Sequence, residues 1–366
     1  ILMRLEDHSN CFLLESVEGG TKRGRYSIVG MKPDMWWKSD GDTAYIKSKW
    51  TSGYKKEGLE TFASLKNLID CSYIKLPDHL PRMSAGVFGY IGYDNVRLIE
   101  DINELSKSDA GFPDSLLMRP SLIIVFDNLK DELSVVYSLR YNSNQKYHDA
   151  LGEANTSIDF VLDLLKKPFD EIYIPTNQKK INISSNTTKD DYLKMVEKAK
   201  NYIYEGDIFQ VVLSQRFESN FELPPFELYR SLRRINPSPF LFYLNFDEFA
   251  VIGSSPEILI RLFSDEITVR PIAGTRPRGK DQAEDDYNKD SLLSDPKELA
   301  EHLMLLDLGR NDVGKVSQLG SVKVTDKFFV ELYSHVMHIV SNVIGKLDSK
   351  FNMIDVLKAG FPAGTV

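Results

Sequence analysis

The succession of elements in this sequence predicts an α+β fold built on antiparallel sheet. Three observations carry that reading. Short runs rich in β-branched and aromatic residues are joined by Gly, Asn and Asp turn signals, the pattern of hairpins and meanders. Helical periodicity comes in a few separate blocks, so strands and helices do not alternate as a doubly wound parallel sheet requires. No self-similarity recurs at the periods of solenoids or propellers.

The first third is β-rich. Cys11–Val17, Arg25–Met31, Met35–Lys38 and Thr43–Ser48 read as strands between Gly, Lys and Asp-Gly turns. Gly58–Ile69 carries Leu59, Phe62, Leu65 and Ile69 at helical spacing. Gly86, Gly89 and Gly92 recur every third residue among aromatics. That spacing is not a dinucleotide fingerprint, and it suits a strand closely approached by another backbone. Ser121–Phe126 and Glu132–Leu139 read as a hairpin, and Gln145–Lys166 as a helix. From Pro168 to Thr188 the chain turns polar and loses periodicity. We therefore expect an N-terminal domain over 1–167, a linker over 168–187 and a second domain over 188–366.

That second part opens with a helix capped by Thr188, closed by Gly206, with Tyr192, Val196, Ala199 and Ile203 as its buried stripe. Ile208–Phe217 reads as a strand and Pro225–Ile235 as a helix. Phe240–Phe246, Phe249–Ser254, Ile258–Phe263 and Ile267–Ile272 then form a meander, which favours antiparallel pairing. A helical stretch from Ala283 to Gly314 is broken at Pro296, and Val322–Val324 and Val336–Ile344 complete the strands.

A net charge of −8 argues against a nucleic-acid-binding surface while leaving room for a local basic site. Cys11 and Cys71 are too few for a disulfide framework or a zinc cluster, and a reducing cytoplasm suits such a chain best. No apolar run reaches the roughly 18 residues of a membrane span. No secretory signal is visible, so the glycosylation patterns at Asn182 and Asn186 read as accidental. Both ends read as cut, at Ile1 without a Met and at Val366 within Phe361–Val366.

The stretch from Arg270 to Gly279 holds the strongest local signal. An apolar strand, Glu266–Ile272, runs into Ala273, Gly274 and Thr275, with Arg270, Arg276 and Arg278 around them. Small residues expose backbone N–H groups and the arginines add fixed charge, a build that suits an anion or a basic surface turn. Glu298 and Glu301 share one helix face; with His302 and Asp307 nearby they could give hard oxygens to Mg²⁺, or simply complement the helix dipole. On a strand His335 and His338 face opposite ways, and His338 between Val336 and Val340 suits a core histidine or a proton carrier. Glu257 sits where two strands meet; burial there would raise its pKa and fit it for general-acid work, or it caps a turn.

In chain order, Leu13–Ser16, Gly206–Gln210, Asn236–Phe240, Gly253–Glu257, Pro271–Gly279, Glu298–Asp312, Ser334–His338 and Phe361–Thr365 closely resemble the chorismate-utilising enzymes, in particular anthranilate synthase component I. The resemblance spans nearly the whole chain. It implies two antiparallel sheets packed together with helices outside, and a cleft for chorismate and Mg²⁺. It further implies that Glu301 is a metal ligand, that Glu298 holds the metal's waters, and that Gly274 and Thr275 touch the substrate. His338 would lie by the ring C4 hydroxyl, and Glu257 would protonate that hydroxyl as it leaves. A second metal glutamate and a substrate arginine and tyrosine are expected beyond Val366, so residues 1–366 alone are expected to be nearly inactive.

Two positions separate the relatives. Ala273 stands where 4-aminodeoxychorismate synthases commonly carry a nucleophilic Lys, and Gln210 where isochorismate and salicylate synthases carry a Lys base. Alanine has no amine, and a neutral Gln takes no proton from water near neutral pH. Both point to anthranilate synthase, in which ammonia adds, pyruvate leaves, and the first committed step towards tryptophan is complete. Neither cysteine lies in a nucleophile-elbow context, so a separate glutamine amidotransferase subunit, component II, is the implied source of ammonia. Glu15, Ser16, Asn236, Pro237, Ser238, Pro239 and Phe240 match the site where L-tryptophan binds as feedback inhibitor. The alternatives are component I of 4-aminodeoxychorismate synthase and a non-catalytic tryptophan-binding homologue; intact Glu257, Glu301 and His338 favour an enzyme.

Overall fold

A computed structural model of the chain describes residues 2–4, 9–18, 22–102, 111–140, 145–168 and 181–363. The elements begin with β1 (Cys11–Glu18), β2 (Lys22–Asp40), β3 (Thr43–Ser48), β4 (Lys55–Lys56), α1 (Thr61–Ser72), β5 (Phe88–Ile91), β6 (Ser115–Asp127), β7 (Glu132–Tyr137) and α2 (Tyr147–Lys166). Next come β8 (Ile183–Ser185), α3 (Lys189–Glu205), β9 (Phe217–Ser219), α4 (Pro225–Ile235), β10 (Phe240–Asn245) and β11 (Ala250–Ser255). The last are β12 (Arg261–Phe263), β13 (Glu266–Val269), β14 (Ile272–Pro277), α5 (Gln282–Ser294), α6 (Pro296–Val316), β15 (Lys323–Leu332), β16 (Val336–Lys346) and α7 (Met353–Gly360). They fall into two units, one of Ile1–Pro168 with Leu228–Thr365, the other essentially Phe169–Glu227.

The first unit carries the α+β architecture expected, in two antiparallel sheets. One runs β11-β10-β1-β2-β3-β4, with β6 beside β2 and β5 and β7 beside β6. The other runs β12-β13-β16-β14, with β15 on the far side of β16. The meander expected from Phe240 onward is thus divided. β10 pairs with β1, whereas β13 pairs with β16, and the division falls near Pro256, which has no N–H to continue a ladder.

Two strands run further than periodicity suggests. Arg25–Met31 and Met35–Lys38 are one strand, β2, whose register against β6 shifts between Pro33 and Met35, with Lys32 at φ 51°. A bulge is how a strand accommodates a proline. β6 starts at Ser115, six residues before the expected Ser121, because Arg119 and Pro120 interrupt its apolar run. Arg119 is buried nonetheless. Its guanidinium grips the Asp34 carboxylate at 2.7 and 2.9 Å and donates to Ser72 Oγ at 3.3 Å. The Gly89 reading holds: an added Cβ would lie 2.0 Å from the Leu116 carbonyl oxygen.

Phe12, Ile28, Met118, Ile123, Val125 and Leu244 fill one core of the first sheet. Ile267, Leu306, Val313 and Val343 fill another, where α6 lies on β13 and β16. Burial of such side chains contributes about 1.5–3 kcal/mol each, and it fixes α6 as the rigid support for the second sheet.

In the second unit, Thr188 caps α3 by accepting from the Asp191 N–H at 3.2 Å, and Gly206 ends it at φ 82°. The buried stripe expected there is absent: Tyr192, Val196 and Ala199 are half-buried and Ile203 is exposed. Nor is Ile208–Phe217 a strand. Among the described residues of this unit only β8 and β9 pair, three residues each, so the preceding run has no neighbour to take its backbone hydrogen bonds. Gln210 lies in that irregular run, half-buried.

The Arg119–Asp34 pair gives a direct test of the first core. Arg119→Met should lower stability by about 3–5 kcal/mol because it strands a buried carboxylate, and adding Asp34→Leu should recover most of the loss. Urea unfolding checks both; a single variant as stable as the parent would contradict the assignment.

Candidate active site

Three elements of the first unit converge here: β14, its neighbour β16, and the first turns of α6. Asp295 caps α6, accepting from the N–H groups of Lys297 (3.0 Å) and Glu298 (3.4 Å), with Pro296 in the first helical position. β14 pairs Ala273 with Ile339 and Thr275 with His338, so Gly274 is an extra residue in the ladder. Its φ of 78° is left-handed, which only glycine takes without strain. The expected turn after a strand is therefore a bulge inside one. The strand break falls earlier, at Arg270 and Pro271, where the missing proline N–H interrupts pairing.

The bulge aims Thr275 at His338. Thr275 Oγ1 and the Gly274 carbonyl oxygen lie 3.0 and 3.1 Å from His338 Nδ1. A carbonyl only accepts, so Nδ1 carries a proton and donates it to the Gly274 carbonyl. Tyr333 packs edge-on against the imidazole with ring centres 5.4 Å apart. Its hydroxyl donates to Glu331 Oε2 at 2.8 Å, and Glu331 pairs with Arg270. Burial raises the Tyr333 pKa well above the usual phenol value, so the ring stays neutral. The sequence reading passed over Glu331 and Tyr333. Glu331 is near the end of β15 and Tyr333 lies just past it, so no periodicity tied them to His338.

Glu298 reaches the same bulge from α6. Its Oε2 accepts the Thr275 N–H at 3.3 Å and its Oε1 lies 3.5 Å from Arg276. Glu301 stands one turn on, half-buried, with no ion-pair partner among the described residues. Two carboxylates on one face, one loosely held and one free, fit a hard cation that keeps waters and substrate oxygens in its shell. No cluster of three or more His, Cys, Asp and Glu gathers among the described residues.

His302 and Asp307 do not join this pair. His302 is fully buried in the stripe with Leu305 and Leu306, its Nε2 2.7 Å from Ser341 Oγ, and burial lowers its pKa to about 4. Asp307 is nine residues from Glu298, half a turn round the helix, and is exposed and paired with Arg310 at 2.7 Å. His335 precedes β16, exposed, beside Ser334 Oγ at 2.9 Å.

Glu257 follows β11, its N–H bonded to Ser255 Oγ at 3.3 Å. Its side chain borders a cavity of about 30 Å³, room for one water, shared with Pro271, Leu305 and Asp312. Burial raises its pKa, partly offset by a hydrogen bond from the Ile272 backbone. Asp312, another residue passed over, is raised by burial too, despite Lys315 at 2.9 Å. Ala273 is buried, two residues from Thr275 yet on the other side of the bulge.

The arginines are largely spoken for. Arg278 forks onto Asp285 (2.6 and 3.1 Å) and donates to the Tyr333 carbonyl at 2.7 Å, while Gly279 N–H donates to Asp285 at 2.6 Å. Arg276 holds Asp295 at 2.7 Å. An anion at this site therefore meets small residues and backbone before it meets a free guanidinium.

At the far end of β1, Glu15 accepts the Tyr229 hydroxyl at 2.7 Å and pairs with Arg233 at 2.9 Å. Val17 N–H donates to the Ser238 carbonyl at 3.0 Å, and Ser254 Oγ donates to that of Asn236 at 2.6 Å. Glu15, Ser16 and the segment from Asn236 to Phe240, with Pro237 and Pro239 half-buried, thus meet in one place. Gln210 lies in the other unit.

The chorismate binding enzyme family matches residues 9–366. The chain is 47% identical to anthranilate synthase component 1 of Cereibacter sphaeroides, covering all of this chain and 74% of that protein. It is 41% identical to that of Acetivibrio thermocellus, covering all of this chain and 75% of the relative. The crystal structure of anthranilate synthase component I from Streptococcus pneumoniae superposes with a TM-score of 0.82 at 33% identity, over 94% of this chain and 74% of that one. A menaquinone-specific isochorismate synthase from Escherichia coli shares the fold, with a TM-score of 0.68 at 17% identity over 98% of this chain and 70% of that one.

Gly274→Ala tests the bulge. A Cβ there would lie 3.2 Å from Ile339 Cδ1 and 3.3 Å from Glu298 Oε2, on left-handed backbone. The variant should lose about 1–2 kcal/mol of stability, read as a lowered Tm. An unchanged Tm would contradict the assigned strain.

Proposed function

The chain belongs to the chorismate binding enzymes, and from that premise we infer that it is component I of anthranilate synthase, a lyase converting chorismate to anthranilate. The observation that carries the reading is Ala273-Gly274-Thr275 on β14, a bulge that sets the exposed Thr275 hydroxyl beside His338 and has no amine at 273. Gln210 enters the reading from its sequence position alone, as a residue type that takes no proton from water.

Chorismate is a dianion, and Mg²⁺ held by Glu298 and Glu301 would supply neutralisation of its ring carboxylate. Gly274 and Thr275 receive the substrate through backbone and hydroxyl. Glu257, whose pKa burial raises, gives its proton to the C4 hydroxyl oxygen, so that water leaves in place of hydroxide. His338, with Nδ1 anchored to the Gly274 carbonyl, turns Nε2 to that hydroxyl and orients it. Ammonia forms the C2–N bond as the C4–O bond breaks. The new ammonium gives up a proton that restores the acid. The C2 proton is then lost, the C3–O bond breaks, and the enolpyruvyl group leaves as pyruvate by taking a proton at its methylene carbon, which aromatises the ring.

We read the source of ammonia as a separate glutamine amidotransferase subunit, component II. Burial pushes the Cys11 thiol up to about 11, and Cys71 lies on the surface beside Asn67, so neither is set as a glutaminase nucleophile. The cluster of Glu15, Ser16 and Asn236 to Phe240 supports a tryptophan effector site, and a cytoplasmic setting belongs to the same proposal.

The test is an assay of the full-length chain with chorismate, Mg²⁺ and ammonium, with products identified by mass. Anthranilate and pyruvate are expected, declining as tryptophan is added; 4-amino-4-deoxychorismate as the product would overturn the reading. Glu257→Gln should lower kcat at least about 10²-fold. The acid form of Glu257 is the active one, so the parent's rate should fall as pH rises through its raised pKa. A Gln variant with parental kcat would remove Glu257 from the mechanism.

A further inference from the structure

We propose that Arg276 is a built-in competitor for the cation site, a resident positive charge that weakens metal binding at Glu298 and keeps that carboxylate in place when no metal is bound. The proposal rests on the reading that Glu298 and Glu301 take Mg²⁺. Arg276 Nη1 lies 3.5 Å from Glu298 Oε1, too far for a strong hydrogen bond and close enough for a strong Coulombic one. Its firm anchors are elsewhere: Nη2 donates to Asp295 Oδ2 at 2.7 Å and Nη1 to the Thr275 carbonyl at 3.0 Å. Asp295 is the cap of the very helix that carries Glu298, three residues on. The guanidinium is therefore tied to the helix end that presents the metal carboxylate and stays beside it.

Charge makes the consequence specific. A cation at Glu298 meets the positive end of the α6 dipole and, within a few ångströms, Arg276. Asp295 offsets one positive charge. With Arg276 neutralised, Asp295 and Glu298 both lack a counter-ion, and the site becomes more attractive to a divalent cation. A merely structural strut would act otherwise, since its loss would loosen Glu298 and leave cation affinity equal or weaker.

The experiment is a titration of the full-length chain with Mn²⁺, without chorismate, reading free ion by electron paramagnetic resonance. Arg276→Gln should tighten the Mn²⁺ Kd on the order of tenfold, while Arg276→Lys, which keeps the charge, stays near the parent. In EDTA the Gln variant should melt below the parent and gain more from added Mn²⁺. Arg276→Leu repeats the titration if the Gln variant does not fold. Equal or weaker Mn²⁺ binding by the neutral variants, with Glu301→Gln losing the ion, would overturn the role of Arg276 alone. Mn²⁺ binding by Glu301→Gln as tight as the parent's would instead overturn the cation reading on which the proposal rests.

Discussion

One extra residue in β14 sets the relation between the parts of the site. Side chains on a strand alternate, so Ala273 and Thr275 would ordinarily share a face. The shift at Gly274 separates them: Ala273 is buried opposite Ile339, and Thr275 is exposed beside His338. The same shift frees the Thr275 N–H from the ladder, and Glu298 takes it. A helix carboxylate, a strand hydroxyl and an imidazole are thus joined through one left-handed glycine. The energy that holds this arrangement lies behind it, in α6 packed on β13 and β16, which fixes where Glu298 starts.

Much of the fold was legible in the sequence, because hairpins and capped helices are written locally. Thr188, Gly206 and Pro296 mark helix ends where they stand. The failures have physical causes. Arg119 hid the middle of β6, since a charge reads as exposed until its partner Asp34, far off in sequence, is known. Ile208–Phe217 has strand composition, but a strand also needs an edge to pair with. The division of the meander between two sheets depends on which distant strand each hairpin finds, and nothing local encodes that.

The site was legible in a different way. Residue type and resemblance brought Glu257, Gly274, Thr275, Glu298, Glu301 and His338 forward, and all lie in the first unit. Helix periodicity alone also admitted His302 and Asp307; burial removed one and the helix turn removed the other. What no pattern showed was the second layer. Glu331 and Tyr333 steady His338, Tyr229 and Arg233 hold Glu15, and Arg276 and Arg278 are anchored by Asp295 and Asp285. These are pairings across the fold, invisible until the chain is closed.

The central claim is that the Gly274 bulge and the start of α6 form one site for a cation and an anionic substrate. Crystals of the full-length protein grown with Mn²⁺ and chorismate, measured at the manganese absorption edge, address it directly. One strong anomalous peak is expected, bounded by the Glu298 and Glu301 carboxylates, with substrate density against Gly274 and Thr275. A peak held by other residues, or substrate density away from β14, would contradict it.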